Sequence, residues 1–116
     1  MAKYIPERGD IVHLQFDPSC GQEMKGPHYG LVVSSKEFNG NGLAMICPIW
    51  QGAAFSARSF GTVVTLMGAG TNTQGMVHCH QLKSLDWRVR KAKLKERVPP
   101  VVIDDVMARI EAILLG

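Results

Sequence analysis

Apolar and polar positions change their period from segment to segment along this chain, and the changes mark its elements. Residues 10–16 (Asp-Ile-Val-His-Leu-Gln-Phe) alternate loosely and are rich in β-formers, which predicts a strand. Residues 31–34 (Leu-Val-Val-Ser) and 43–49 are short apolar runs that suit buried strands, the second closed by Pro48 near its end. Residues 62–66 and 75–81 predict two more. Turn chemistry separates them: a loop at 17–30 carrying Asp-Pro-Ser-Cys-Gly and Gly26-Pro27, and a turn at 37–42 around Asn-Gly-Asn-Gly. A small-residue loop at 51–60 and a Gly-rich turn at 67–73 complete the set. After Pro99-Pro100 the period lengthens. Val102, Val106, Ile110 and Ile113-Leu114 recur at helical spacing, with Asp104, Asp105, Arg109 and Glu111 on much of the other face. That predicts an amphipathic helix over 101–115, its apolar face packed on the sheet. The expected fold is mostly β, a barrel-like sheet whose closure covers its edges, with one C-terminal helix.

A length of 116 residues fits a single domain, 1–116. With 46% hydrophobic and 20% charged residues the chain is able to form a core, which argues against disorder. No apolar run approaches the ~20 residues needed to cross a bilayer, and residues 1–8 lack a signal-peptide core. A cytoplasmic protein with no membrane contact is expected. Cys20, Cys47 and Cys79 cannot all pair and form no Cys-x-x-Cys, so free thiols in a reducing compartment are expected rather than a zinc ribbon.

The formal net charge is only +3, but it is unevenly spread. Lys83, Arg88, Arg90, Lys91, Lys93, Lys95 and Arg97 outnumber Asp86 and Glu96 over residues 83–97. Such a cluster is either a phosphate-facing patch or a solvated basic segment. Just before it, Met76-Val77-His78-Cys79-His80-Gln81 places two imidazoles two residues apart, on one face of a strand. Histidine titrates at roughly 6.5 when unperturbed, so the pair is able to take and give protons beside a polyanion. With His28 the two also have the makings of a three-nitrogen zinc site, a less favoured alternative. Trp50 and Trp87 each read as packing residues or as platforms for a nucleobase. Arg58, in the 51–60 loop, reads as a phosphate contact or as an ordinary exposed loop Arg, and His13 reads as a structural or surface residue.

Several short motifs then fall in a recognisable order. They are Glu7-Arg8-Gly9-Asp10-Ile11-Val12, Phe16-Asp17-Pro18, Gly21-Gln22-Glu23, Leu31-Val32-Val33-Ser34, Phe38-Asn39, Cys47-Pro48-Ile49 and Gln81-Leu82-Lys83-Ser84-Leu85-Asp86-Trp87-Arg88. In this order the chain, from about Glu7 to Leu115, resembles the MazF/PemK (Kid, ChpB) toxins of type II toxin–antitoxin systems. The resemblance implies an SH3-like, partly closed β-barrel and a homodimer. It implies a metal-independent endoribonuclease for single-stranded RNA, with no cofactor. It further implies a cognate antitoxin that lays an acidic segment across the RNA groove.

The chain departs from the family where chemistry is expected. His28 stands where the family has the Arg of Gly-x-Arg-Pro, and Trp50 where it has Thr or Ser. His78 and His80 stand where the Kid-like branch reads Arg-Cys-Asp-Gln. Gln22 replaces a Kid-like loop His, while Glu23 is retained. Cleaving RNA without a metal needs a base for the 2′-OH, an acid for the 5′-oxygen and charge stabilisation at phosphorus. Imidazoles are able to share these tasks, so His28, His78 and His80, with Glu23 orienting one of them, are the candidate catalytic set. Trp50, Arg58, Gln81, Lys83, Trp87 and Arg88 are the candidate RNA contacts. The alternative is a degenerate relative that binds antitoxin or RNA without cleaving. A third reading is inhibition of another target, as the related CcdB toxins inhibit DNA gyrase.

Overall fold

The structure is a computed structural model that describes residues 3–21, 23–51 and 61–116. Its strands are β1 (Asp10–Gln15), β2 (Pro27–Val32), β3 (Leu43–Trp50), β4 (Val63–Thr65), β5 (Met76–His78), β6 (Lys83–Asp86) and β7 (Lys93–Arg97). A short helix, α1 (Lys36–Asn39), lies between β2 and β3, and α2 (Pro100–Leu115) closes the chain. The strands form one antiparallel sheet in the order β4-β5-β3-β2-β1-β7, with β6 also paired to β3. Among the described residues β4 and β7, the ends of this order, do not pair with each other. The fold is therefore mostly β, as expected, but the barrel is not closed: the expected closure over both edges is not made among the described residues.

Both faces of the sheet are covered, which is why its central strands read as unbroken apolar runs. Neighbours in sequence go to opposite sides. Ile11, Leu31, Cys47, Ile49 and Val77 pack with Val102, Val106 and Ile110 of α2. Val12, Val32 and Ile46 join Leu14, Phe16, Met24, Ala44, Leu85 and Trp87 in a second core. Each fully buried Val, Leu, Ile, Phe or Met among them contributes about 1.5–3 kcal/mol relative to exposure. At Gly30 the second core leaves no room for a side chain: a Cβ there would lie 2.5 Å from Ile46 Cγ2 and 3.2 Å from Phe16 Cζ.

Four boundaries differ from the expectation. β2 begins at Pro27 rather than Leu31, because Gly26 turns the chain at φ +74° and its carbonyl accepts the Phe16 N–H. The expected turn at 37–42 holds α1, capped by the Ser35 hydroxyl, which accepts from the Phe38 N–H. The basic cluster contains β6 and β7. In β7, Lys93, Leu94 and Lys95 are exposed on an edge of the sheet, where lysines discourage pairing with other chains. Finally, the expected strand at 75–81 stops at His78, and this difference shapes the site.

Candidate active site

Strand β3 pairs with β5 and then with β6. Ile49 faces Val77, but Ile46, three residues back along β3, faces Lys83, six residues on. Three residues are therefore surplus, and they fold as a single 3-10 turn, Cys79–Gln81. The turn acts as an enlarged bulge, which re-aims side chains while leaving the strand before and after it paired. The Cys79 N–H donates to the Thr62 carbonyl, and its thiol is buried against α2, where burial pushes its pKa up to about 11. Cys79 thus anchors the turn between two histidines.

Those histidines are not equivalent, contrary to the alternation expected of a strand. His78, the last residue of β5, is 1% exposed, whereas His80 projects into solvent from the turn. Their rings still meet, with centroids 5.5 Å apart and planes tilted by 50°. Trp50, at the end of β3, stands edge-on to His78 with centroids 5.0 Å apart. Its indole N–H donates to His78 Nδ1 at 3.1 Å. An Nδ1 that accepts carries no proton, so this contact selects the neutral Nε2–H tautomer. His28 lies on β2, one step beyond the Tyr29–Ile49 pair and so at the same end of the sheet as Trp50. Strand alternation puts it on the face of Trp50, and it is half-buried.

The loop between β1 and β2 folds back onto the next residues of the turn. Gln81 Oε1 accepts the Met24 N–H at 3.1 Å, and Lys83 Nζ pairs with Glu23 Oε1 at 2.6 Å. Glu23 also accepts the Cys20 N–H. The Lys83 hydrogen bond foremost, then the Cys20 N–H, hold the Glu23 carboxyl below the usual carboxylate range. It is thus a weak base, and among the described residues the side chain it holds is that of Lys83.

The sequence model of the PemK-like, MazF-like toxins of type II toxin–antitoxin systems matches residues 7–114. The chain belongs to that family. It is 37% identical to the endoribonuclease PemK of Escherichia coli over 109 residues, 93% of this chain and 81% of PemK. The crystal structure of MazF from Deinococcus radiodurans superposes with a TM-score of 0.86 at 33% identity, covering 97% of this chain and 98% of that one. A chain of the MazE–MazF crystal structure from the same organism gives 0.80 at 33% identity, covering 97% of each.

Within this PemK/MazF-like toxin, the remaining candidates do not all join the histidines. Trp87 is 7% exposed in the second core, and its indole N–H donates to the Asn39 carbonyl at 2.7 Å. Of the two readings of Trp87, packing residue or RNA platform, this burial favours the first. Arg88 lies 4.8 Å over the Trp87 ring and donates to the Gly40 carbonyl. Both flank the end of β6, beside the start of β3. The seven steps of β3 between Leu43 and Trp50 put them about 23 Å from the histidine end. There Arg88 and Trp87 line a separate groove with Lys3, Tyr4, Ile5, Lys91 and Ala92. Arg58 lies outside the described residues. Among the described residues no three His, Cys, Asp or Glu side chains gather closely enough to hold a metal ion, so the three-nitrogen site is not formed there. The sequence reading missed the role of Trp50 as a hydrogen-bond donor to His78. The only signal for it was a large aromatic at a position where the family keeps a small hydroxyl residue.

Proposed function

We propose that this toxin-family protein is an endoribonuclease that cuts single-stranded RNA at selected sequences without a metal ion. It works as a homodimer in the cytoplasm, and a cognate antitoxin with an acidic segment blocks it. The observation that carries this reading is the exposed imidazole of His80 packed on buried His78, three residues before Lys83. His28 lies on the same face. An exposed imidazole takes the 2′-OH proton as that oxygen attacks phosphorus. The bond to the 5′-oxygen breaks, a second donor protonates that oxygen, and a 2′,3′-cyclic phosphate and a 5′-OH remain. Lys83, freed from Glu23, offsets charge on the phosphorane. The name of E. coli PemK as an endoribonuclease supports the activity, and the MazE–MazF structure of D. radiodurans supports the antitoxin.

Two observations favour the second reading, binding of RNA or antitoxin without cleavage: Lys83 is already ion-paired and His78 is buried. Incubation with a long single-stranded RNA in EDTA separates the two. Discrete fragments that disappear in His80→Ala and His28→Ala are expected. Intact RNA at high protein concentration, with antitoxin still bound, sinks the nuclease reading. Cleavage that vanishes in EDTA and returns with zinc sinks the metal-free mechanism.

A further inference from the structure

The family chemistry leaves open which imidazole moves protons, and it has no counterpart to Trp50. We propose that Trp50 is a positioning residue: its indole N–H fixes His78 as the neutral Nε2–H tautomer, so that His80 is the member of the pair that exchanges protons with substrate. The inference rests on the endoribonuclease reading and assigns roles within its site.

Three observations converge. First, the Trp50 Nε1–His78 Nδ1 hydrogen bond, 3.1 Å, occupies the only His78 lone pair that protonation would use. A cationic His78 would set an Nδ1–H against the indole N–H, two donors face to face. Second, His78 is 1% exposed, and burial disfavours a charged imidazole. Third, His80 is solvent-exposed and its ring is 5.5 Å away, so a charge on either ring opposes a charge on the other. The pair therefore holds one proton-exchanging site, and it is the outer one. His78 keeps its orientation and hydrogen-bonding pattern while His80 changes charge.

The charged groups around the pair are consistent with this. His28 shares its face from β2, and the Lys83–Glu23 pair, neutral overall, follows it along the chain. On the opposite side of the turn α2 brings Asp105 and Arg109 towards Cys79, where they are paired with each other at 3.1 Å. The carboxylates among these groups, Glu23 and Asp105, are paired with Lys83 and Arg109.

Long-range proton–nitrogen NMR of the 15N-labelled full chain tests the assignment without RNA. In the wild type His78 is expected to show the Nε2–H pattern and to hold it as the pH is varied, with any pH-dependent change of the pair confined to the His80 ring. Trp50→Phe keeps an aromatic ring and removes the N–H, and its amide spectrum reports whether the fold is kept. In that variant His78 is expected to become a mixture of tautomers and to titrate. In cleavage assays the same variant is expected to lower kcat with KM unchanged and to alter the pH profile, whereas loss of a stacking platform would raise KM. His80→Ala is expected to lose about 10²–10⁴-fold in kcat. A wild-type His78 that is cationic at neutral pH or carries its proton on Nδ1 overturns the proposal. So does a Trp50→Phe spectrum in which His78 is unchanged. Absent cleavage with the expected His78 tautomer, and with pH-dependent change confined to the His80 ring, defeats the nuclease reading while the division of labour in the pair stands.

Discussion

The assignment of Trp87 to the core rather than to RNA makes a quantitative prediction. Trp87→Phe keeps an aromatic face for Arg88, which sits 4.8 Å over the ring, but removes the N–H that reaches the Asn39 carbonyl at 2.7 Å. That carbonyl keeps a second partner, the Gly42 N–H at 3.0 Å, so the lost hydrogen bond costs the ordinary ~1 kcal/mol rather than the full penalty of an orphaned group. Shrinking an indole to a phenyl ring at a 7% exposed site leaves a gap worth about 1–2 kcal/mol more. The expected loss is ~2–3 kcal/mol, or about 8–12 °C in Tm for a chain of this size. Urea unfolding at fixed protein concentration measures it, with the midpoint falling and the slope unchanged. Trp87→Leu then removes the π-face altogether. At a temperature where this variant is folded, its RNA affinity should match the wild type, since a stacked base would contribute ~1–3 kcal/mol. An unchanged midpoint in Trp87→Phe together with weak RNA binding in Trp87→Leu would refute the core assignment.

Gly30→Ala should cost about 1–3 kcal/mol through overpacking against Ile46; adding Ile46→Ala should make the double variant lose less than the sum, and strict additivity would count against the contact. The Glu96 carboxyl lies below its ordinary range because, against the desolvation that raises it, the Thr73 hydroxyl and the Asn72 and Thr73 N–H groups hydrogen-bond it, with Lys95 adding to the effect. Its stabilisation is therefore present above the usual carboxylate pKa and lost as pH falls through the lowered one. Urea midpoints should drop less steeply on the acid side in Glu96→Gln, and an identical slope would contradict this. Lys83→Ala should weaken RNA binding about equally for all sequences and reduce the slope of log K against log salt by about 0.7; an unchanged slope would leave Lys83 without a phosphate. His78→Arg alone buries a guanidinium facing the Trp50 N–H and should destabilise by several kcal/mol. Trp50→Thr and His80→Asp added to it, which restore the Kid-like pattern, should recover stability, and a stable single variant would show that the site tolerates the charge.

How far the sequence was legible depended on what each segment had to bury. β1, β3 and α2 announced themselves because their apolar residues serve one or two covered faces at a regular period. β7 was hidden because Lys93, Leu94 and Lys95 are all exposed, so it has almost no apolar signature. β6 was hidden because only Leu85 of its residues is buried. The 3-10 turn was invisible for a different reason. Its surplus of three residues exists only relative to β3, and the register of a partner strand is a tertiary fact. The residue types of the site were therefore readable, and their division into buried and exposed was not.

That division changes the meaning of the departures from the family pattern. Along the chain Trp50, His78 and His80 are separate anomalies, and separate losses would be scattered in space. In the fold they touch in series: indole to buried imidazole through a hydrogen bond, buried imidazole to exposed imidazole ring against ring. Each makes sense only with the next. A Thr or Ser at position 50 would be too short to place a donor as the indole does at His78 Nδ1, and an Arg at 78 would meet the indole N–H with another donor. Decay has no reason to preserve such complementarity, because a site free to drift loses partners one at a time. The three exchanges form one contiguous set, in which a hydrogen-bonded aromatic series stands where the Kid-like pattern has a charged pair.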